Sequence, residues 1–305
     1  MPLAPQHPTL QSFSYGGWSN CLRLSDGQTE AVITLDVGPR IIRYGFVGAP
    51  NILKEFPEQL GKCGGMSWRI YGGHRLWVAP EDPVLTCVPD NEPVTFTWRN
   101  KQLTIHQPAD RLTGMAKELR LRYLDQGALR IDHRLINQGG KAVNCAPWAL
   151  TVMASGGEAV VPQEPFVPHP KALLPARPLV LWPYTNMKDP RWSWGEKEIR
   201  LRQRPHPSAQ KMGCFSAQGW MAYHLKKQVM IKHHPVKGQP GDYPDHGCNL
   251  ELFTNADILE MESLGPMTRL KSGARVDHRE VWSLHHAATR PDIATLTAWA
   301  KRAAP

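Results

Sequence analysis

Hydrophobic and polar residues alternate one by one through much of this chain. Met115-Ala116-Lys117-Glu118-Leu119-Arg120-Leu121-Arg122-Tyr123 alternates apolar with charged positions, and after the turn Asp125-Gln126-Gly127 the run Leu129, Ile131, His133, Leu135 alternates with Arg130, Asp132 and Arg134. A period of two sends successive side chains to opposite faces of an extended strand, which predicts antiparallel sheet with one wet face. Residues 31–35 and 40–46 flank Asp36-Val37-Gly38-Pro39 as the arms of a hairpin or corner would. The same pattern predicts strands at 95–98, 102–107, 148–153, 220–225, 228–233, 249–254, 258–263 and 276–284, with Lys226-Lys227 and Lys271-Ser272-Gly273 as tight turns. So many short strands at steady spacing predict an all-β fold, a large antiparallel sandwich.

Two stretches break the rhythm. Pro162, Pro165, Pro168, Pro170, Pro175 and Pro178 forbid regular structure between them and predict an ordered surface loop. Trp182-Pro183-Tyr184 and Asp189-Pro190-Arg191-Trp192-Ser193-Trp194 follow, rich in aromatics for a connection; they serve either as staples onto a sheet face or as a platform facing a ligand. Only 291–302 reads as helix, with Pro291 in the first turn and Ile293, Leu296 and Trp299 at helical spacing. The expected organisation is an extension over 1–20, one sandwich domain over 21–288 and a helical cap over 289–305.

Composition narrows the classes. In 305 residues, 41% hydrophobic content suffices for a sizeable core, and 25 Gly with 28 Pro favour short elements and tight turns. No long apolar run suggests a membrane span, and 1–20 has neither a basic start nor an apolar stretch, so no secretory signal is read and a cytoplasmic setting is expected. The scattered Cys21, Cys63, Cys87, Cys145, Cys214 and Cys248 form no C-x-x-C pair, which suits free thiols of a reducing compartment. The net charge of +9 is spread over strand-like segments and matches no nucleic-acid motif, so no nucleic-acid partner is expected; a positive field would instead favour an anionic small ligand such as a uronate or sugar phosphate. Nothing in the pattern fixes an oligomeric state.

The candidate chemistry lies in two segments. Gly72-Gly73-His74-Arg75-Leu76-Trp77 leads to Glu81, and Tyr243-Pro244-Asp245-His246-Gly247-Cys248-Asn249-Leu250-Glu251 comes far downstream. Carboxylates and guanidinium groups bond vicinal hydroxyls in pairs, and flat Trp and Tyr faces pack on the apolar face of a sugar ring, so these residues suit a neutral, hydroxyl-rich ligand. Arg75 and Arg191 fit two-pronged contact with a ligand, or equally a clamp onto Glu81 and Asp189. Asp245 and His246 either reach a ligand or build a turn. Glu260 and Glu262 share a strand face, as a glycosidase pair or as charges on a wet face. A metal site of His74, Glu81 and His246 has no spacing to support it, and no cofactor motif is present.

The segments around Gly72–Trp77, Ala146-Pro147-Trp148-Ala149-Leu150-Thr151, Trp182-Pro183-Tyr184, Tyr243-Pro244-Asp245, Glu260-Met261-Glu262-Ser263-Leu264-Gly265-Pro266 and Glu280-Val281-Trp282 resemble a family of uncharacterised bacterial proteins, the DUF4380 type, in the galactose mutarotase-like superfamily. The resemblance implies a β-supersandwich whose concave face binds carbohydrate. In the superfamily's aldose 1-epimerases a late-strand glutamate takes the anomeric proton, a mid-chain histidine protonates the ring oxygen, and an early arginine and histidine hold the sugar. Cys248-Asn249-Leu250-Glu251 resembles the late run, which makes Glu251 the candidate general base, and His74 resembles the early histidine.

The mid-chain histidine is missing. At that place the chain reads Asn144-Cys145-Ala146-Pro147-Trp148, and an indole can stack on a sugar but cannot give up a proton. The expectation is therefore a carbohydrate-binding protein, an aldose 1-epimerase-like enzyme or a non-catalytic sugar-binding module, with a glycan lyase or hydrolase as a third class. Glu251, His74 and His246 are the candidate catalytic groups; Arg75, Trp77, Glu81, Trp148, Arg191, Trp192, Tyr243 and Asp245 are the candidate sugar contacts. All of this requires Glu251 and His74 to meet on one face of a curved sheet.

Overall fold

The computed structural model describes residues 8–303. Two antiparallel sheets, of eleven and ten strands, pack face to face. The larger runs Thr9–Tyr15, Trp18–Ser25, Thr29–Thr34, Arg40–Phe46, His74–Ala79, Val143–Met153, Leu259–Leu264, Leu250–Thr254, Gln210–Cys214, Leu179–Leu181, with Thr268–Leu270 paired to the start of Val143–Met153. The smaller runs Trp192–Trp194, Glu198–Arg202, Glu158–Pro162, Trp220–Leu225, Gln228–His233, Arg275–His286, Leu129–Asn137, Met115–Tyr123, Gln102–Gln107, Thr95–Arg99. The all-β sandwich read from the alternation is the fold observed.

Alternation also decides what lies between the sheets. Leu76, Val78, Met212, Leu250, Leu252, Leu259 and Met261 point inward from the larger sheet, against Leu103, Ile105, Leu119, Leu121, Leu129, Ile131, Leu135 and Trp282 from the smaller. Each such side chain, fully buried, contributes roughly 1.5–3 kcal/mol of transfer free energy, which offsets the entropy of ordering the strand that carries it.

The segment expected to be an extension joins the sandwich. Thr9–Tyr15 pairs with Trp18–Ser25 at the edge of the larger sheet, while residues 1–7 lie outside the described part. The helix is Ile293–Ala303, started by the Asp292 carboxylate, which accepts the Thr295 N–H at 2.8 Å. Its Leu296 and Ala300 cover Val160, Trp220, Ala222, Val229 and Ile231 on the outer face of the smaller sheet. The proline-rich stretch carries no strand until Leu179–Leu181, at the far edge of the larger sheet. All six cysteines are free, and no helix among the described residues is long and apolar enough to cross a membrane.

Gly72 and Gly73 are needed where they stand. Their φ values of +93° and +68° suit glycine, and a Cβ would fall 2.1 Å from the Lys54 carbonyl oxygen at Gly72 and 2.2 Å from that of Ile41 at Gly73. The pair therefore launches the strand His74–Ala79 at the centre of the larger sheet and sets its register.

Candidate functional site

The residues that alternate with the inner core form the outer face of the larger sheet. One row of Cα partners crosses it as Arg40, Arg75, Leu150, Glu262, Glu251 and Gly213. Trp77, Trp148 and Leu264 lie two residues to one side, and Val152, Glu260, Phe253 and Lys211 two to the other. Strand pairing thus gathers residues from six strands onto one surface.

Lys211 is the hub. Its ammonium lies 2.7 Å from Glu251 Oε2 and 3.1 Å from Glu262 Oε2, between the rings of Trp148 at 4.8 Å and Trp182 at 4.7 Å. The Trp148 indole N–H donates to Glu262 Oε2 at 2.9 Å. Next along, Arg75 pairs with Glu260 at 3.4 Å and lies 4.0 Å over Trp77 and 5.3 Å over Trp68. Trp77 meets Trp148 edge-on at 5.5 Å. Gly213 makes room: a Cβ there would fall 2.5 Å from Cys248 Sγ and 3.2 Å from Glu251 Cγ.

Glu251 differs from its neighbours. It is fully buried, yet neither carboxyl oxygen has a hydrogen-bond donor in proper geometry, despite the close ammonium. One cation between two carboxylates can neutralise only one of them. Burial, reinforced by the charges of Glu262 and Asp245, therefore outweighs the pull of Lys211 and holds Glu251 well above the usual carboxylate range. Burial likewise pushes Glu260 up to about 7, against the opposing pull of Arg75. At neutral pH Glu260 is poised between its two forms.

The rim comes from loops. The loop after Leu179–Leu181 is held to the strand Gln210–Cys214 by Asn186 N–H to Gln210 Oε1 at 2.9 Å and by the Thr185 hydroxyl to the Lys211 carbonyl, which sets Trp182 over Lys211. Tyr184, 45% exposed, lies within the fields of Lys211, Glu262, Glu81 and Glu251, and partial burial pushes its phenol up to about 12. Glu81 and Asp245 are close enough to act on Glu260 and Glu251 respectively.

Of the residues expected from sequence, Glu251, Arg75, Trp77 and Trp148 converge here, with Glu81 and Asp245 at the rim. His74 does not. It sits one residue before Arg75 on the same strand, so it faces the space between the sheets and is fully buried there. The required meeting of Glu251 with His74 fails, because a period of two assigns them to opposite faces. His246 is exposed and makes no hydrogen bond or ion pair among the described residues. Tyr243 spends its hydroxyl on the backbone of Lys237 and its ring on Phe215. Arg191 is a clamp onto Asp189, at 2.9 Å through both Nε and Nη2, and Trp192 packs in the inter-sheet core. Glu260 and Glu262, read as charges on a wet face, are 7% and 1% exposed.

His74 belongs to a closed inner network. His133 Nδ1 donates to the His278 carbonyl at 3.1 Å, so in a neutral ring its Nε2 accepts from His74 Nε2–H at 2.6 Å. His74 Nδ1 then accepts from Thr151 at 2.9 Å, and Thr151 accepts from Lys232 at 2.8 Å. Lys232 also pairs with Glu280 at 2.9 Å, and Glu280 accepts from Trp282 Nε1 at 2.8 Å and from the Ser263 hydroxyl. Ligand atoms of His74, His133 and Glu280 come within 4.8 Å of one another, as a metal triad would. The Nε2 pair is nevertheless at hydrogen-bond distance, and Lys232 already supplies the positive charge.

Sequence reasoning missed Lys211, Trp68 and the placement of Trp182 and Tyr184. Gln210-Lys211-Met212-Gly213-Cys214 shows no clean alternation, because its outward positions are a lysine and a glycine, both depleted in strands.

No family model matches the chain, and no curated protein matches it. Solved structures do. The chain is similar over 95% of its length to a TPR-domain containing protein from Parabacteroides distasonis, with a TM-score of 0.59 at 13% identity, and spans 55% of that chain. It is similar over 92% of its length to 99% of a galactose mutarotase-like protein from Clostridium acetobutylicum, with a TM-score of 0.55 at 10% identity. Over 87% it is similar to the whole of a galactose mutarotase-like protein from Lactobacillus casei, with a TM-score of 0.53 at 9% identity. At such identities the likeness is one of fold: the chain has the galactose mutarotase-like sandwich.

Proposed function

We propose that the outer-face hollow binds a neutral sugar and exchanges its anomers, with Glu251 as the acid and Glu260 as the base. The observation that carries this reading is Glu251: a fully buried carboxyl with the Lys211 ammonium against one oxygen and no donor on the other, that ammonium lying between two tryptophans. Glu251 and Glu260 are diagonal neighbours on one face of the ladder, within reach of one ligand. Glu260 takes the anomeric hydroxyl proton, the bond from C1 to the ring oxygen breaks, and the ring oxygen receives the Glu251 proton. Rotation about C1–C2 and the reverse transfers close the other anomer. In this reading the missing mid-chain histidine is replaced by a carboxyl whose hold on its proton burial strengthens. The motifs that resemble DUF4380-type proteins support placing the chain with that family.

Exchange NMR with a panel of aldoses tests the reaction. Wild type is expected to accelerate anomer exchange, and Glu251→Gln to slow it by roughly 10²–10⁴-fold with binding kept, the usual weight of one acid–base group. Saturable binding without acceleration in wild type would establish the second reading, a sugar-binding module, which the tie of Trp148 to Glu262 favours. Failure of every sugar to bind would remove both.

A further inference from the structure

A cavity of about 250 Å³ opens where the outer face of the smaller sheet meets the loops after Gln228–His233 and Leu259–Leu264. Its charged lining is Arg120, Arg130, Arg279 and Lys237 against Asp132 and Asp277. Cross-strand pairing explains how this surface is wired. The first row reads Glu118, Arg134, Asp277 and the second Arg120, Asp132, Arg279, so charges alternate like a checkerboard. The third row breaks the pattern, because Arg122 faces Arg130 directly. Like charges placed opposite one another destabilise a ladder unless something of opposite sign lies between or above them.

The carboxylates present are already committed. Arg134 holds both oxygens of Asp277, at 2.6 and 2.9 Å, so Arg120 at 3.1 Å is a second cation on a satisfied acid. Asp132 is shared: its oxygens accept Arg130 Nε at 2.7 Å and Arg279 Nε at 2.6 Å. Both guanidinium groups are thus fixed through Nε, and their terminal Nη edges have no protein partner among the described residues, with the side chains 33% and 38% exposed. Arg122 and Lys237 make no ion pair among the described residues. A neighbouring depression lined by Arg122, Arg130 and Arg279 continues the same basic surface.

We infer that this cavity is an anion site for a phosphate-type dianion, gripped by the free Nη edges of Arg130 and Arg279 with Arg120 and Lys237 closing the sides. A planar guanidinium fork anchored through Nε presents its remaining N–H groups in the geometry a tetrahedral oxyanion takes. The site lies on the smaller sheet and does not depend on the sugar reading.

Isothermal titration with inorganic phosphate, at fixed ionic strength against chloride, tests it. Wild type saturates, and Arg130→Gln/Arg279→Gln weakens binding by about tenfold or more, as loss of charge-assisted pairs requires. Lys237→Gln, which touches no ion pair, weakens it a few-fold, while Arg99→Gln on a distant strand leaves it unchanged. A parallel titration with glycerol phosphate separates the sources: equal affinity identifies the free dianion, and tighter binding identifies a phosphate monoester. No saturation in wild type, affinity unchanged in both site variants with melting curves intact, or binding of duplex DNA alone would each overturn the site.

Discussion

The two faces of the larger sheet use the same strands for opposite ends. His74 and Arg75, Thr151 and Leu150, Ser263 and Glu262 are neighbours in sequence, yet one of each pair joins the inner network and the other the outer hollow. Both faces bury ionisable groups almost completely. Inside, Lys232, Thr151, His74, His133, Ser263 and Glu280 pass hydrogen bonds from one to the next. Outside, Glu251 has only the Lys211 ammonium, which it shares with Glu262. Burial of charge alone therefore does not mark function; bonding capacity left unspent is the better guide to a candidate site.

The largest test of this contrast is Lys232→Met. Removal of one partner from a buried pair strands Glu280 and should cost about 3–5 kcal/mol, with Lys232→Met/Glu280→Gln recovering part of it. Denaturant melts read both values, and a loss under ~1 kcal/mol, the range of exposed pairs, would show the inner pair is not the strut described here. Glu251→Gln should cost less in the same melts, since Lys211 keeps Glu262 as its partner.

Gly213→Ala comes next. Its new methyl would press on Cys248 Sγ and Glu251 Cγ, so a loss of roughly 1–3 kcal/mol is expected, together with weaker sugar binding. An unchanged melting temperature would mean that the hollow around Glu251 yields freely.

Acidity separates the faces by sign. Glu260, raised from 4.5 to about 7, binds more protons folded than unfolded, so its contribution to stability is lost as pH climbs through that window. His234, lowered from 6.5 to about 3, acts in the opposite sense: stability is lost as pH falls through that range. The difference profile of Glu260→Gln against wild type should rise with pH between 4.5 and 7. A flat difference would place Glu260 in water.

The smallest effect concerns His234, whose two ring nitrogens are buried without partners beside the inner network. His234→Leu should stabilise the fold by ~1 kcal/mol, because an unsatisfied imidazole leaves and an apolar side chain takes its volume. Destabilisation in the melt would reveal a partner that the geometry conceals.

Much of the sandwich was readable because alternation is a local signal. The strands Gln102–Gln107, Trp220–Leu225 and Gln228–His233 fall where the pattern put them. The hollow was readable only in part, for a different reason. Glu251, Arg75, Trp77 and Trp148 carry chemistry visible in their own residue types, whereas Lys211 acquires its meaning from strand pairing that no short window contains. His74 shows the converse: its residue type suggested a site, and its place in the alternation, one step from Arg75, already consigned it to the interior.

The adjacency of Glu262 and Ser263 also constrains how this protein can change over evolutionary time. Loss or gain of a single codon within Leu259–Leu264 would rotate the downstream side chains by half a turn, turning acids toward the oily centre and methionine toward solvent. Indels in that stretch should be purged, so change on the outer face is channelled into point substitutions and into the connecting loops that carry Trp182 and Asp245.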